Sequence, residues 1–451
     1  MKYFLALLVL VLLLTGCGAK TPQAQPETQP VTTEAVTIPD QAKFTVQIYG
    51  EAKTGETVSA APSMLNSETV YRWYLDGQLL PFATGYALTI PFSAVDKALT
   101  VTATLDGYTT ESDPVTVVRH QPERVSMAAI AHDAKLYGRC SLGLGLNMDF
   151  SASGFEMNVE STGNPMNIEY VAGHDLYVAV FIDGKQADRP LLTAGAGTLT
   201  IPLSAGTHTV MVLKETEVQT TGATLQLVNF DFDGVILEKP ADRQLYIEFI
   251  GDSIACGDGS LGKYVSGQRW SLEDHSGTNG FAYLTAKNLG ADWSVFARGG
   301  IGLMKAAGAY TAGQMFPYIN LYRDQESKYI PGRIPDIVVV ELGANDDKND
   351  TAGFVAAYTE LVEQIRRMYG PDVKIVWTGK NYTQYNSAQY VAQQRQDPNM
   401  FAFTFQYGGS GSAALDTQNA GHPNAQEQKA FADALSGFLR KYVLTQQEEQ
   451  Q

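Results

Sequence analysis

The sequence predicts a multidomain protein in which two all-β domains precede an α/β domain with a parallel sheet. Between residues 42 and 240, short stretches of alternating apolar and polar residues are separated by turn residues, which is typical of β domains. After Pro240, apolar strands alternate with segments of helical periodicity, which favours a parallel sheet with helices on both faces. The chain of 451 residues, 44% of them hydrophobic, is long enough to bury more than one core.

The N-terminus has the features of a targeting segment. A short apolar run follows Lys2 and ends at Thr15-Gly16-Cys17, which indicates a signal peptide. The end of the run resembles a bacterial lipobox, so residues 1–17 are interpreted as a lipoprotein signal that leaves Cys17 as the lipidated N-terminus. An ordinary secretory signal with an incidental cysteine is the alternative. Both interpretations predict a location outside the cytoplasm, and the first predicts a lipid anchor in the cell membrane at the bacterial surface.

Residues 18–41 are predicted to be a disordered tether. They are rich in Pro, Gln, Thr and Glu and contain few large apolar side chains, so they cannot bury enough surface to fold. Such a segment would hold the following domains away from a membrane surface.

Composition limits the partners. With 48 acidic and 32 basic residues, the formal net charge is -16, which argues against nucleic acid and leaves neutral glycans compatible. Besides Cys17, only Cys140 and Cys256 remain, too few for a disulfide framework. The sequence leaves open whether these two cysteines pair.

Residues 42–118 are predicted to form an immunoglobulin-like β-sandwich. A turn at Asp76-Gly77 and the regular spacing of the strands favour this class. Trp73 lies in a run that resembles the tryptophan strand of bacterial immunoglobulin-like modules, and we interpret it as a core residue rather than a sugar-stacking platform. The predicted strands are residues 44–49, 70–75, 87–90 and 99–105.

Residues 119–240 are predicted to form a second β domain, a jelly roll. Its strand signals are residues 155–159, 176–182, 198–203 and 207–213.

Residues 241–445 are predicted to form the α/β domain. In open parallel sheets, the loops at the carboxyl ends of the strands border the ligand crevice, so polar motifs that follow different strands are expected to meet in space. The predicted strands are residues 245–250, 293–297, 337–342 and 373–378, and the predicted helices are residues 280–289, 352–368 and 425–443.

The motifs after these strands supply the groups that acyl transfer needs, which are a nucleophile, a base and donors for an oxyanion. Ser253 follows the first strand and Asn345 follows the third. Gly299 and Gly300 follow the second strand, where the absence of side chains lets a backbone N–H approach a substrate. His422 stands just before the last helix and is the candidate base.

The order of these motifs resembles the SGNH, or GDSL-like, hydrolases over residues 245–443. Further motifs narrow the resemblance to carbohydrate esterase family two, whose members pair an N-terminal jelly roll with an SGNH domain. These motifs are residues 137–139, 182–184, 206–210, 214–217 and 251–257. The resemblance implies a serine esterase that removes acetyl groups from polysaccharide of the acetylxylan or acetylated glucomannan type.

The resemblance also implies roles for the site residues. Ser253 would be the nucleophile and His422 the base of an acyl-enzyme mechanism. The oxyanion hole would consist of the Ser253 amide, the amide of Gly299 or Gly300, and the Asn345 side chain. The motif after the second strand departs from the family pattern at Ala297-Arg298. The sequence therefore leaves open which of the two glycine amides donates to the oxyanion.

The third member of a catalytic triad is the point at which this chain departs most from the common pattern. SGNH enzymes usually carry aspartate three residues before the histidine, and Asn419 occupies that position here. The base still needs an acceptor for its Nδ1–H. Asn419, Asp416 or a backbone carbonyl could provide it. Because family two includes Ser-His dyads with a main-chain carbonyl in this role, we favour the carbonyl.

Two other functions stay open. One is a different SGNH esterase or lipase, including a peptidoglycan O-acetyl esterase, and the other is a surface glycan-binding protein with weak turnover. No cofactor is expected, because no Cys/His cluster has zinc spacing. The acidic residues 346–350 are interpreted as a helix start rather than a calcium site.

Overall fold

The computed structural model describes residues 44–80, 83–118, 125–217, 224–262, 271–320, 323, 327–406 and 422–445. The predicted signal peptide, the predicted lipidation site Cys17 and the predicted tether lie outside the described residues. No helix in the described part of the chain combines the length and apolar character needed to cross a membrane.

The first β region, residues 44–118, consists of antiparallel sheets around one core. Its strands are β1 (Val46–Tyr49), β2 (Thr57–Pro62), β3 (Val70–Leu75), β4 (Gln78–Leu79), β5 (Ala87–Thr89), β6 (Ala98–Leu105), β7 (Tyr108–Glu111) and β8 (Val115–Thr116). The order β1-β2-β5 forms one sheet and β4-β3-β6-β7 the other, with β8 against β6. Trp73 in β3 is fully buried and its Nε1 donates to the Gly85 carbonyl at 3.0 Å. The prediction that Trp73 is a core residue is confirmed.

The second β region, residues 125–236, also has two antiparallel sheets. Its strands are β9 (Val125–Ser126), β10 (Ala134–Tyr137), β11 (Ser141–Leu142), β12 (Leu146–Asn147), β13 (Gly154–Thr162), β14 (Met166–Ala172), β15 (Leu176–Ile182), β16 (Lys185–Asp188), β17 (Leu191–Leu192), β18 (Gly195–Ile201), β19 (Ala205–Lys214), β20 (Leu225–Asp231) and β21 (Gly234–Ile236). One sheet has the order β10-β13-β19-β15-β16 and the other β11-β12-β20-β14-β18. Apolar side chains from both sheets fill the space between them.

The third region is built on a parallel sheet. Its strands are β22 (Tyr246–Gly251), β23 (Asp292–Ala297), β24 (Ile337–Glu341), β25 (Lys374–Gly379) and β26 (Met400–Thr404). They lie in the order β23-β22-β24-β25-β26, and every neighbouring pair is parallel. After β22 the chain adds β23 on one side of it and then β24, β25 and β26 on the other side. The topological switch point therefore lies between β22 and β24. The prediction of a mostly β N-terminal part followed by a parallel-sheet domain is confirmed, while the immunoglobulin-like and jelly-roll assignments stay predictions.

Helices cover both faces of the parallel sheet. Phe281 and Phe431 lie against one face with Phe249, whereas Leu361 lies against the other with Ile250. This split follows from the strand geometry, because successive side chains of a strand point to opposite faces. The helices are α1 (Ser253–Cys256), α2 (Phe281–Leu289), α3 (Ala312–Met315), α4 (Thr351–Tyr369), α5 (Tyr382–Arg395) and α6 (Ala425–Phe438), which continues as a π-helical turn (Leu439–Leu444).

The second β region and the parallel sheet share a core. Tyr137 of β10 stacks on Trp293 of β23, with ring centroids 3.9 Å apart and an interplanar angle of 8°. The fully buried Arg139 donates through Nε to Glu248 of β22 at 3.1 Å. Because these contacts are buried, the β region is positioned firmly against the α/β region.

Candidate active site

The candidate nucleophile lies at the switch point of the sheet. Ser253 directly follows β22 and is the first residue of the short helix α1, with Asp252 as its N-cap. The Asp252 side chain accepts from the Ile254 amide at 3.0 Å, which orients the start of the helix. At this position the Ser253 N–H has no acceptor within the helix, so it is a potential donor to a substrate.

His422 completes the central pair of the site. Its Nε2 lies 2.6 Å from Ser253 Oγ, a hydrogen-bonding distance, although the two residues are 169 positions apart. Asn424 caps α6 two residues later, in a reciprocal capping box with Glu427, and so anchors the segment that carries His422. The structure therefore brings together the two side chains that were predicted as nucleophile and base.

Burial tunes the protonation of the base. Burial lowers the pKa of His422, the charge of Asp258 acts in the opposite direction, and the neighbouring Lys380 and His275 lower it further. A lowered pKa keeps the imidazole neutral near pH 7, which is the form that can accept the serine proton.

Gly299 and Gly300, which we call the glycine block, follow β23 and lie beside the candidate nucleophile. The Gly299 amide donates to Oε2 of Glu217 at 3.2 Å, so its hydrogen is already used inside the protein. Gly300 has a φ of 76°, a left-handed conformation that favours glycine. Within the described residues, the Gly300 amide has no hydrogen-bond acceptor. Of the two amides that the sequence left open, that of Gly300 is the one with a hydrogen to offer a substrate.

Asn345 follows β24 and is held tightly. Its Nδ2 donates to Asp252 Oδ2 at 3.1 Å and to the Ile301 carbonyl at 2.9 Å. The nitrogen carries two hydrogens, so a substrate oxyanion must displace one of these acceptors to receive a bond from it. Gly343 permits the tight turn before Asn345, because it has a φ of 127° and the Gln384 side chain lies 2.7 Å from where a Cβ would be.

Buried carboxyl groups lie beneath the site. Burial, with the charges of Asp258 and Asp346, raises the pKa of Asp252 to about 7, and burial with the charge of Asp252 raises the pKa of Glu341. Asp346 is also buried, and its carboxylate accepts from the amides of Leu303, Met304 and Lys305 at 2.9 Å each. The acidic residues 346–350 were interpreted as a helix start. Asp350 is indeed the N-cap of α4, whereas Asp346 organises the loop after the glycine block.

A histidine–carboxylate pair lies near Ser253 and His422. His275 Nδ1 is 2.8 Å from Oδ1 of the fully buried Asp258, in the loop that follows α1. Arg189 of the second β region donates to the His275 carbonyl at 2.6 Å. No motif in the sequence indicated that His275 pairs with Asp258.

The remaining predicted residues divide into two groups. The candidate orienting residues Asn419 and Asp416 and the lipidation site Cys17 lie outside the described residues, so their roles stay predictions. Cys140 and Cys256 are both free thiols. In the described part of the chain, no cluster of three His, Cys, Asp or Glu residues could hold a metal ion.

Two parts of the chain match known protein families. Residues 249–437 match the GDSL-like Lipase/Acylhydrolase family, and residues 136–240 match the model described as Carbohydrate esterase 2 N-terminal. The chain is 33% identical over 240 residues to the Cellulase/esterase CelE of Acetivibrio thermocellus, a match that covers 50% of this chain and 28% of that protein. It is 29% identical over 188 residues to an Acetylxylan esterase / glucomannan deacetylase of Cellvibrio japonicus, covering 36% of this chain and 50% of that protein. The chain thus spans half or less of the length of these curated relatives.

Solved structures show the same fold. A family two carbohydrate esterase from Clostridium thermocellum in complex with cellohexaose has a TM-score of 0.61 and 25% identity, over 68% of this chain and 98% of that one. A family two carbohydrate esterase from Cellvibrio japonicus has a TM-score of 0.62 and 20% identity, over 71% of this chain and 97% of that one. The chain is thus similar to the GDSL-like Lipase/Acylhydrolase family at residues 249–437 and to the carbohydrate esterase 2 N-terminal domain at residues 136–240, and over 68% of its length it resembles a family two carbohydrate esterase.

Proposed function

We propose that the chain is a serine esterase that removes acetyl groups from polysaccharide through a Ser-His acyl-enzyme mechanism. The observation that carries the proposal is the 2.6 Å contact between Ser253 Oγ and His422 Nε2 at the switch point of a parallel sheet. A buried serine with a neutral imidazole as its partner is the arrangement that nucleophilic catalysis needs.

The reaction proceeds in two steps on these residues. His422 Nε2 takes the proton of Ser253, whose Oγ attacks the acetyl carbonyl carbon. The amides of Ser253 and Gly300, with the Asn345 side chain, donate to the oxygen that becomes negative. His422 then gives this proton to the sugar oxygen as the bond between that oxygen and the acetyl carbon breaks. In the second step His422 takes a proton from a water molecule that attacks the acyl-enzyme, and it returns the proton to Ser253 Oγ as acetate leaves.

The substrate class is proposed from the relatives. One relative is named for acetylxylan and glucomannan and another is a cellulase/esterase, so acetylated plant polysaccharide is the substrate that they support. The net charge of -16 is compatible with a neutral glycan.

Acetate release tests this proposal directly. The full chain is incubated with acetylated xylan, acetylated glucomannan and O-acetylated peptidoglycan, with 4-nitrophenyl acetate alongside. We expect xylan or glucomannan to be the best polymer. Faster release of acetate from peptidoglycan would show that peptidoglycan, and not plant polysaccharide, is the substrate class. Binding to the polymers without release of acetate or 4-nitrophenol would favour a glycan-binding protein instead.

Replacing Asn345 with alanine is expected to lower kcat about 100- to 1000-fold with little change in KM, which is the usual effect of removing one oxyanion donor. The measurement is steady-state hydrolysis of 4-nitrophenyl acetate. Asn349→Ala is the matched control, because Asn349 is an exposed asparagine of the same loop. A main effect on KM would assign Asn345 to substrate binding rather than to the oxyanion hole.

We also propose that Cys17 carries a lipid anchor that holds the enzyme at the outer face of the cell membrane. Cys17→Ser is expected to move the protein from the membrane fraction to the medium, because a lipid anchor supplies binding that a serine side chain lacks. The distribution between the two fractions is measured by immunoblot in bacterial cells. An unchanged membrane fraction in the variant would contradict the anchor.

A further inference from the structure

We propose that Glu217, which belongs to the β region and not to the α/β region, is a positioning residue that holds the glycine block in its oxyanion-binding geometry. This inference rests on the proposed esterase function. It concerns a residue outside the nucleophile, the base and the oxyanion donors discussed above.

The segment that carries Glu217 is fixed against the catalytic loops. Residues 214–217 continue from β19, and all four side chains are 5% exposed or less. The Glu215 carbonyl accepts from the Gly277 amide at 2.9 Å, and its carboxylate accepts from the Thr278 hydroxyl. On the other side, Thr216 Oγ1 accepts from the Tyr177 amide at 2.9 Å. The segment is therefore a rigid support that extends from the β region to the loop after α1.

One oxygen atom of Glu217 contacts both the glycine block and helix α1. Its Oε2 accepts from the Gly299 amide at 3.2 Å, and the Cys256 thiol lies 4.0 Å from the same oxygen. Cys256 is the last residue of α1, the helix that begins with Ser253. The carboxyl group thus links the nucleophile helix to the glycine block.

The environment makes a purely stabilising role a poor explanation. Glu217 is 2% exposed, and burial, reinforced by Asp258, raises the pKa of its carboxyl group against the opposing effects of the Gly299 hydrogen bond, Lys214 and Arg298. Burying such a group costs free energy, and an apolar side chain of similar size is often as stable or more stable in the same place. What the carboxyl provides that an apolar group cannot is an acceptor for the Gly299 amide.

That acceptor matters because the block contains two consecutive glycines. Glycine backbone has wide conformational freedom, so the direction of the Gly300 N–H is weakly determined by the local sequence. Fixing the preceding peptide at Gly299 restricts this freedom. A donor that is already oriented stabilises the developing oxyanion without reorganisation, and this effect appears in kcat more than in substrate binding.

Three substitutions at position 217 test the inference on 4-nitrophenyl acetate and on the best polymer. Glu217→Gln keeps an acceptor oxygen at the same reach and is expected to retain kcat within about fivefold. Glu217→Asp keeps the carboxyl but draws it away from Gly299, and Glu217→Leu removes the acceptor. Both are expected to lower kcat by about 10- to 100-fold, part of the loss of a whole oxyanion donor, with KM within about twofold.

Glu215→Leu is the matched control. Glu215 is equally buried in the same segment but bonds to Thr278 instead of the glycine block. It is expected to change the thermal midpoint to a similar extent as Glu217→Leu does, with a smaller fall in kcat. A Glu217→Asp variant as active as Glu217→Gln would overturn the inference, as would equal kcat losses in the two leucine variants. If Glu217→Leu does not fold, the comparison of the Gln and Asp variants decides alone. Absence of esterase turnover in the wild-type chain would instead reject the proposed function.

Discussion

Ser253→Ala is expected to lower kcat by at least about 10,000-fold while the thermal midpoint changes little. The substitution removes the atom that forms the covalent acyl-enzyme, and only the oxyanion donors and substrate binding would remain to accelerate hydrolysis. The measurement is hydrolysis of 4-nitrophenyl acetate and of acetylated xylan by wild type and variant. Mass spectrometry of wild-type enzyme quenched during turnover should find an added acetyl group on the peptide that contains Ser253.

Ser260→Ala is the matched control for this prediction. Ser260 lies in the loop after α1, is as buried as Ser253, and donates to the Ser276 carbonyl at 3.3 Å rather than to His422. Its variant should keep kcat within a few-fold. Turnover near that of wild type in Ser253→Ala, or an acetyl group on a different peptide, would remove Ser253 from the nucleophile role.

His422→Ala is expected to lower kcat by a similar factor, because the serine hydroxyl is a weak nucleophile until a base takes its proton. The double variant Ser253→Ala/His422→Ala should be about as slow as either single variant, since the two residues act as a unit at 2.6 Å. His208→Ala serves as control, because His208 bonds to Asp183 and Ser204 in the β region. Additive losses in the double variant would show that the two side chains act independently.

The pH dependence of kcat/KM provides a second measurement of the same base. His422 acts in its neutral form, so activity is lost as the pH falls through its pKa. Burial lowers that pKa, and the loss is therefore expected below the ordinary histidine value of about 6.5. An acid limb with a midpoint above that value would contradict the environment described for His422.

The group that orients His422 is tested by Asn419→Ala and Asp416→Ala. If a backbone carbonyl accepts from Nδ1, each variant should lose less than about tenfold in kcat, whereas neutralising a true triad carboxylate costs about 10,000-fold. A loss of a thousandfold or more in either variant, with unchanged folding, would assign that side chain as the orienting group.

Local patterns in the sequence predicted much of the α/β region. The strands β22 to β25 and the helices α2, α4 and α6 were all predicted within a few residues, because each has an apolar run or an apolar stripe. Helix α5 and strand β26 were missed. Helix α5 is mostly polar, with Gln384 and Ser387 among its few buried residues, so its sequence lacks the apolar stripe that indicates a helix.

The sequence by itself determined the nucleophile and base candidates, because Ser253 directly follows a predicted strand, His422 stands just before the last predicted helix, and the order of the motifs resembles that of the SGNH hydrolases. Only the tertiary structure decided how the donors are used. The Gly299 amide is bound by Glu217, and Asn345 is bound by Asp252. These partners lie on segments far apart in the chain, and a periodic pattern reports the face on which a residue lies, not the atom that it meets across an interface. The stacking of Tyr137 on Trp293, which joins the second β region to the parallel sheet, could not be predicted from the sequence for the same reason.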